Sequence, residues 1–453
     1  MVASRTRDNP RVASDARTIV FFPEGAYGPT NNCVGIGDVL RRRGHRVVFI
    51  VEESFAGRLE EKGFEERLMR LGPKPKGEEL PEEVPGQFWI DFIRDTAPIF
   101  RKPTIEQLGE FMQPTWQALI DGSKYVDDRL REIIDELEPD VIVEDNVIFF
   151  PALAASGRPW VRIVSCNPAE LKDPAVPPFS SGYPVADRSG NAAFLEEVER
   201  THRDMWADYD AFCRSRGEPG LAWHAEGPDF MPESPWLNLY LYPEAADYRR
   251  ERPLSPTWHR LDSCVRETEG TWELPDRLRE GDGGLIYLSL GSLGSADVGL
   301  LQRLVDVLGG TRHRVIVSKG PLAEQIRLHA NMVGEAILPQ PAILPQVDLV
   351  VTHGGNNTVT ECFNFGKPMV VLPLFWDQVD NAQRIDETGF GVRLPAYAFE
   401  DGDLTGAIDR LLADRALRDR MAADAARYQA NPGTVAAADL IERVARTGQP
   451  MIR

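Results

Sequence analysis

Residues Asp348 to Gly366 read DLVVTHGGNNTVTECFNFG. An apolar strand ends at Thr352, a glycine turn His353-Gly354-Gly355-Asn356 follows, and a helix begins near Asn357. Glycines let backbone N–H groups approach a bound anion closely. A helix N-terminus adds unsatisfied donors and partial positive charge, which suits a pyrophosphate. Asn357 and Thr358 lie in the first turn, where they either add donors to a ligand or cap the helix. Glu361 falls four residues after Asn357 on the same helix face, placed to accept from ribose hydroxyls.

The same strand, turn and helix scheme extends outward in both directions. Leu285 to Leu290, Arg314 to Ser318 and Met369 to Pro373 read as buried strands, with a glycine turn at Gly291 to Gly294 and a helix over Gly299 to Leu308. In the first half, the strand Thr18 to Pro23 leads to a helical pattern from Val34 to Arg43 and the strand Arg46 to Val51. Helical patterns run to about Leu137, then strands at Asp140 to Val143 and Trp160 to Val164. This order predicts an α/β protein of two Rossmann-like domains facing across a cleft. The boundaries read as a loose tail over residues 1–17, an N-terminal domain over 18–243, a linker region over 244–283 and a C-terminal domain over 284–453. Residues 71–87, rich in Pro, Gly and Glu, read as an exposed loop.

Composition sets outer limits. With 453 residues the chain exceeds one ordinary core. A net charge of -19 opposes nucleic acid and anionic membrane as partners. Five scattered cysteines without metal-ligand spacing suit a reducing compartment. The residues at the start lack the apolar run of a signal peptide, and no stretch has the length to cross a bilayer, so a cytoplasmic location without membrane insertion is expected.

Three ordered motifs resemble the C-terminal signature of the family 1 UDP-glycosyltransferases, whose bacterial members glycosylate antibiotics and other small molecules. Ile337-Leu338-Pro339-Gln340 looks like the family's W-x-P-Q. His353 and GGNNTVTE match HGG-x-N-[ST]-x-x-E, and PLFWDQ (Pro373 to Gln378) is similar to P-x-x-x-D-Q. The resemblance is close over residues 285–395 and loose over most of the chain. It implies the GT-B fold and a nucleotide-sugar donor. His353, Gly355, Asn357 and Thr358 would bind the diphosphate, Glu361 the ribose, Gln340 the base or ribose, and Asp377 and Gln378 the sugar hydroxyls. Gly291-Ser292 resembles the family's S-x-G-S loop, which places Ser292 near the phosphates. The family's base-stacking tryptophan is Ile337 here. UDP-glucose is the expected donor, with a dTDP-sugar as the other reading.

The base is where the chain departs from the family. FPxxGH follows the family's first strand, but here the run is Phe22-Pro23-Glu24-Gly25-Ala26-Tyr27, and no histidine precedes residue 45. Tyr27 takes the approximate place of that histidine, although a phenol of pKa about 10 is a poor base. The companion aspartate corresponds to Asp145, which follows the strand DVIVE. Asp145 acts as base directly or through water, or caps a helix, or the acceptor is itself acidic; Glu24 and Glu144 are lesser candidates. No metal is expected, because Asp401-Gly402-Asp403 reads as a helix cap. Aromatic residues in 86–116 and 147–183 suit a bulky apolar acceptor such as a polyketide, macrolide or flavonoid. The expected reaction is inverting transfer of a hexose to a hydroxyl of such a molecule. Two rival readings are a catalytically silent sugar-nucleotide-binding partner protein and a sugar-nucleotide epimerase or hydrolase.

Overall fold

The computed structural model describes residues 15–73, 91, 94–267 and 270–453. Residues 1–14 of the expected tail, 74–87 of the expected loop, and 86–90, 92 and 93 of the aromatic stretch lie outside the described residues.

In the first half, β1 (Thr18–Pro23), β2 (Arg46–Glu52), β3 (Glu65–Met69), β4 (Val141–Asp145) and β5 (Trp160–Val164) form one parallel sheet. A two-stranded ribbon of β6 (Trp223–His224) and β7 (Gly227–Pro228) stands apart. β8 (Leu237–Leu241) and β9 (Trp258–Leu261) complete the seven-stranded order β3-β2-β1-β4-β5-β8-β9. The second half holds β10 (Leu285–Ser289), β11 (Arg314–Ser318), β12 (Met332–Glu335), β13 (Leu349–Thr352), β14 (Met369–Val371) and β15 (Gly391–Arg393), ordered β12-β11-β10-β13-β14-β15. Both are doubly wound α/β sheets, as the strand and helix alternation predicts. β1, β4, β5 and β10 are buried almost throughout because helices cover both sheet faces, which explains their unbroken apolar runs.

Three features differ from the sequence reading. The helix after β1 starts at Tyr27 and runs to Arg42, so the Tyr27-Gly28-Pro29 run is helical rather than a loop. Pro29 is tolerated because the first turn has no intrahelical N–H bonds to lose. The segment read as linker contributes β9 to the first sheet. The last helix, Gly433–Thr447, packs back on the first half: Ala437, Ile441 and Val444 join Ile19, Phe21 and Val143 in one core cluster. Arg43 fastens it with ion pairs to Asp439 at 2.6 Å and Glu442 at 2.7 Å. A helical apolar stripe can be recognised in sequence, but which sheet it covers is decided by the path of the chain.

Candidate functional site

In an open parallel sheet the binding crevice lies beyond the carboxyl ends of the strands, where the strand order reverses. That point falls between β1 and β4 in the first sheet and between β10 and β13 in the second. Both open on one cleft of about 810 Å3 lined by Glu24, Tyr27 and Phe111 on one side and Ser292, Gln340 and His353 on the other. This volume suits a small-molecule site.

The second half supplies a glycine turn and helix start of the kind that suits an anion. The helix Asn356–Phe365 begins after Gly355, whose position as N-cap leaves no side-chain cap bond, so the first-turn N–H groups are left for a ligand. The His353 ring lies between two glycines. A Cβ at Gly291 would come within 2.6 Å of its Cε1, and one at Gly355 within 2.6 Å of its Nε2. Burial pushes the His353 pKa down to about 4, partly offset by a hydrogen bond with the Ser289 backbone. The ring is therefore neutral near pH 7 and brings no charge of its own to a ligand. The helix terminus supplies the positive potential.

Glu361 is buried on the same helix and ion-paired with Arg266 at 2.8 Å. Gln340 Nε2 donates to its other oxygen at 2.6 Å and lies 3.4 Å from Thr358 Oγ1. Gln340, Thr358 and Glu361 are thus brought together as the motif spacing implies. Arg266 was not legible, since it sits in the segment read as linker and only the fold carries it to Glu361. Asn357 neither caps the helix nor points freely at a phosphate. Its Nδ2 donates to the Gly28 carbonyl at 2.8 Å, and its Oδ1 accepts from Asn32 at 2.8 Å, tying this helix to the first half.

Asp377 and Gln378 reach the same cleft. Asp377 Oδ2 accepts from the Asn167 backbone N–H at 2.8 Å and from Asn381 at 3.2 Å. Gln378 Oε1 accepts from the backbone of Leu374 and Phe375 at 3.1 and 3.3 Å, which leaves its amide nitrogen to donate. Burial raises the Asp377 pKa to about 7, against the pull of the Asn167 N–H.

At the first switch point Asp145 is 2 % exposed, its Oδ1 accepting from Ser165 Oγ at 2.7 Å. It lines a side cavity, whereas Glu24 lines both that cavity and the main cleft. Tyr27 does line the cleft, but its ring packs on Phe55 with centroids 5.8 Å apart. Among the described residues no hydrogen bond links Tyr27 to Asp145, so the two do not form the dyad that their places in sequence suggest. Glu144 alternates to the opposite face and is fully buried, with its pKa pushed well up by burial.

Among the described residues no group of three or more His, Cys, Asp or Glu is placed to hold a metal ion. Asp403 closes a capping box with Glu400 at the start of the helix Asp401–Ala413.

Residues 263–425 match the family model described as "UDP-glucoronosyl and UDP-glucosyl transferase", a span that contains Arg266, Gln340, His353, Glu361 and Asp377. The chain is a glycosyltransferase, similar to this family over that span. Demethyllactenocin mycarosyltransferase of Streptomyces fradiae is 25% identical over 94% of this chain and 86% of the relative. Among solved structures, the glycotransferase of kitacinnamycin superposes with a TM-score of 0.68 at 22% identity, covering 94% of this chain and 98% of that one. The glycosyltransferase VinC, solved in complex with DTDP, gives 0.58 at 18% identity over 95% and 99%. These two likenesses establish that the glycosyltransferase shares their overall fold. Among its described residues no helix is long and apolar enough to cross a membrane.

Proposed function

We propose that this glycosyltransferase moves a hexose from a nucleotide sugar to a hydroxyl of a lipophilic small molecule, with inversion at the anomeric carbon. The observation that carries this is a cleft that joins an uncapped helix terminus on one side to a carboxylate-bearing switch point and apolar walls on the other. The helix terminus and His353 stabilise the departing diphosphate through fixed dipoles aimed at the charge that develops. Ser292 and Gly355 let that group approach, Glu361 and Gln340 hold the ribose, and Asp377 with Gln378 hold the sugar. Asn357 and Thr358 contribute backbone N–H groups. Asp145 belongs to the proton-accepting side. Phe55, Phe111, Leu119 and Val147 line the acceptor half, which favours an apolar polycyclic or macrocyclic acceptor. The five cysteines are free and buried, in keeping with a cytoplasmic site of action.

UDP-glucose is the first donor to try, because the Asp377 and Gln378 pair suits a sugar with free hydroxyls. A dTDP-sugar is the second reading. It is favoured by Ile337, 75% exposed where an aromatic platform would hold the base, and by Arg266 and Gln340 already bonded to both Glu361 oxygens. The relative VinC was solved with DTDP. The deciding experiment incubates the enzyme with each donor and a panel of polyketides, macrolides and flavonoids, read by mass spectrometry. Hexosylated product supports the reading. Donor hydrolysis or epimerisation without transfer, or modification of polar sugars alone, overturns it.

A further inference from the structure

We propose that Glu24 takes the proton from the acceptor hydroxyl, with Asp145 behind it as a positioning residue. This rests on the glycosyl-transfer reading and deepens it. Glu24 directly follows β1, and its backbone N–H donates to the Asp145 carbonyl at 2.9 Å, so the two carboxyl groups leave neighbouring strand ends at the switch point. Only Glu24 of this pair lines the main cleft. Both line a side cavity of about 20 Å3, room enough for one water. Asp145 Oδ2 is buried there with no donor in full hydrogen-bond geometry, Asn32 being the neighbour whose amide draws on the carboxyl. A water, or the proton of a carboxylic acid, would satisfy it.

The electrostatics agree with this geometry. Burial, reinforced by the Glu52 carboxylate, pushes Glu24 up to about 7. Burial likewise pushes Asp145 to about 7, with Ser165 and Asn32 drawing it down and Glu24 adding to the rise. Near neutrality the pair holds about one proton between them. The cation facing this cavity is Arg162, which is already bonded to Glu170 at 3.2 Å and to the Met231 carbonyl at 3.2 Å. Cys166 faces the same cavity with its thiol pushed well up by burial, and Tyr27 and His353 face the main cleft. A base poised near the working pH is the efficient one.

In the step, the acceptor O–H bond breaks and its proton passes to the Glu24 carboxylate. The freed oxygen pair forms the bond to the anomeric carbon. The bond from that carbon to the diphosphate oxygen breaks, and its electron pair leaves with the diphosphate. Glu24 then gives its proton to solvent in the cleft that it lines, while Asp145 keeps the proton the pair already holds.

The test compares wild type, Glu24→Gln, Glu24→Asp and Asp145→Asn with one donor and two acceptors, an aliphatic alcohol and an acidic nitrophenol. Glu24→Gln is expected to lose roughly 10²- to 10⁴-fold in kcat on the alcohol and far less on the nitrophenol, which needs little help to ionise. Nucleotide affinity, measured on the same samples, stays at the wild-type value and certifies folding. Glu24→Asp keeps the acid but withdraws it, and falls between wild type and Glu24→Gln. Asp145→Asn shifts the acid limb of the kcat/KM profile to lower pH, because removing a neighbouring negative charge lets Glu24 ionise more readily. Equal losses on both acceptors, wild-type kcat in Glu24→Gln, or an unmoved limb in Asp145→Asn would overturn the assignment. Wild-type enzyme that glycosylates nothing sinks the transfer reading itself, a distinct result from active wild type with an unimpaired Glu24→Gln.

Discussion

The imidazole of His353 has glycines on two sides, and neither can gain a side chain without displacing it. Gly291 also holds φ at +72, a backbone region costly for L-residues. Gly291→Ala is therefore expected to cost about 1–3 kcal/mol of stability and to weaken nucleotide binding, checked by thermal melts and calorimetric titration. His353→Ala separates the two effects. It keeps both glycines and removes the ring from the cleft wall, so nucleotide affinity is expected to fall about 10-fold while the melting temperature changes little. Wild-type affinity in His353→Ala would remove the ring from the diphosphate site.

At the scale of elements, the start of the helix Gln378–Glu387 serves as a seam between the two halves. Asp380 Oδ2 accepts from the Ser180 N–H at 2.6 Å and Oδ1 from Gly182 at 2.8 Å, while Asp377 takes Asn167. Trp376, at φ 58, packs against Trp116 and Phe179 with centroids 5.0 and 5.9 Å away. A bulky residue in that conformation stores strain, which the surrounding rings and hydrogen bonds offset. The Asp377-Gln378 motif, proposed to hold the sugar, is thus fastened to the opposite half, and we expect donor binding to be coupled to closure of the halves. Asp380→Ala leaves two buried N–H groups unsatisfied, with an expected cost of about 1–3 kcal/mol for each. We expect faster limited proteolysis near residues 178–183 and a higher donor KM. Unchanged proteolysis and KM would show that the seam is incidental.

Across the whole molecule, several buried carboxyls titrate high. Burial raises Asp377 to about 7 and Asp380 to about 8, and lifts Glu144 well above the usual range. An acid with a raised folded-state pKa binds protons on folding, so its contribution is complete below about pH 4 and is lost as pH climbs towards the folded value. Asp229 acts in the opposite sense. Burial raises it, but Lys172 and His224 outweigh that and bring it to about 2, so its contribution holds above about pH 4 and fades below. Urea unfolding is expected to show greatest stability near pH 5 and a decline of a few kcal/mol, in order of magnitude, towards pH 8. Glu144→Gln, which needs no proton to stay neutral, should flatten that decline. A stability that rises steadily from pH 5 to 8 would contradict the assignment of these groups.

The sequence alone marked eight strands of the two sheets, the Rossmann-like scheme of each half and the place of the glycine motif, because each of these is local, but it left β3, β8, β9, β12 and β15 unmarked. Apolar runs mark buried strands, glycines mark turns, and helical spacing puts Glu361 beside Thr358. Only the tertiary structure decided which long-range partners those residues meet. Arg266 reaches Glu361 across 95 positions and Asn32 reaches Asn357 across 325, both set by how two sheets pack rather than by any pattern of spacing. The same holds at the base. The sequence favours Asp145, sets Tyr27 in the histidine's place and leaves Glu24 and Glu144 as lesser candidates, whereas strand pairing at the β1 and β4 ends turns Glu24 to the cleft, encloses Asp145 and sends Glu144 to the opposite face. Burial and register set those proton affinities, and neither exists before the chain folds.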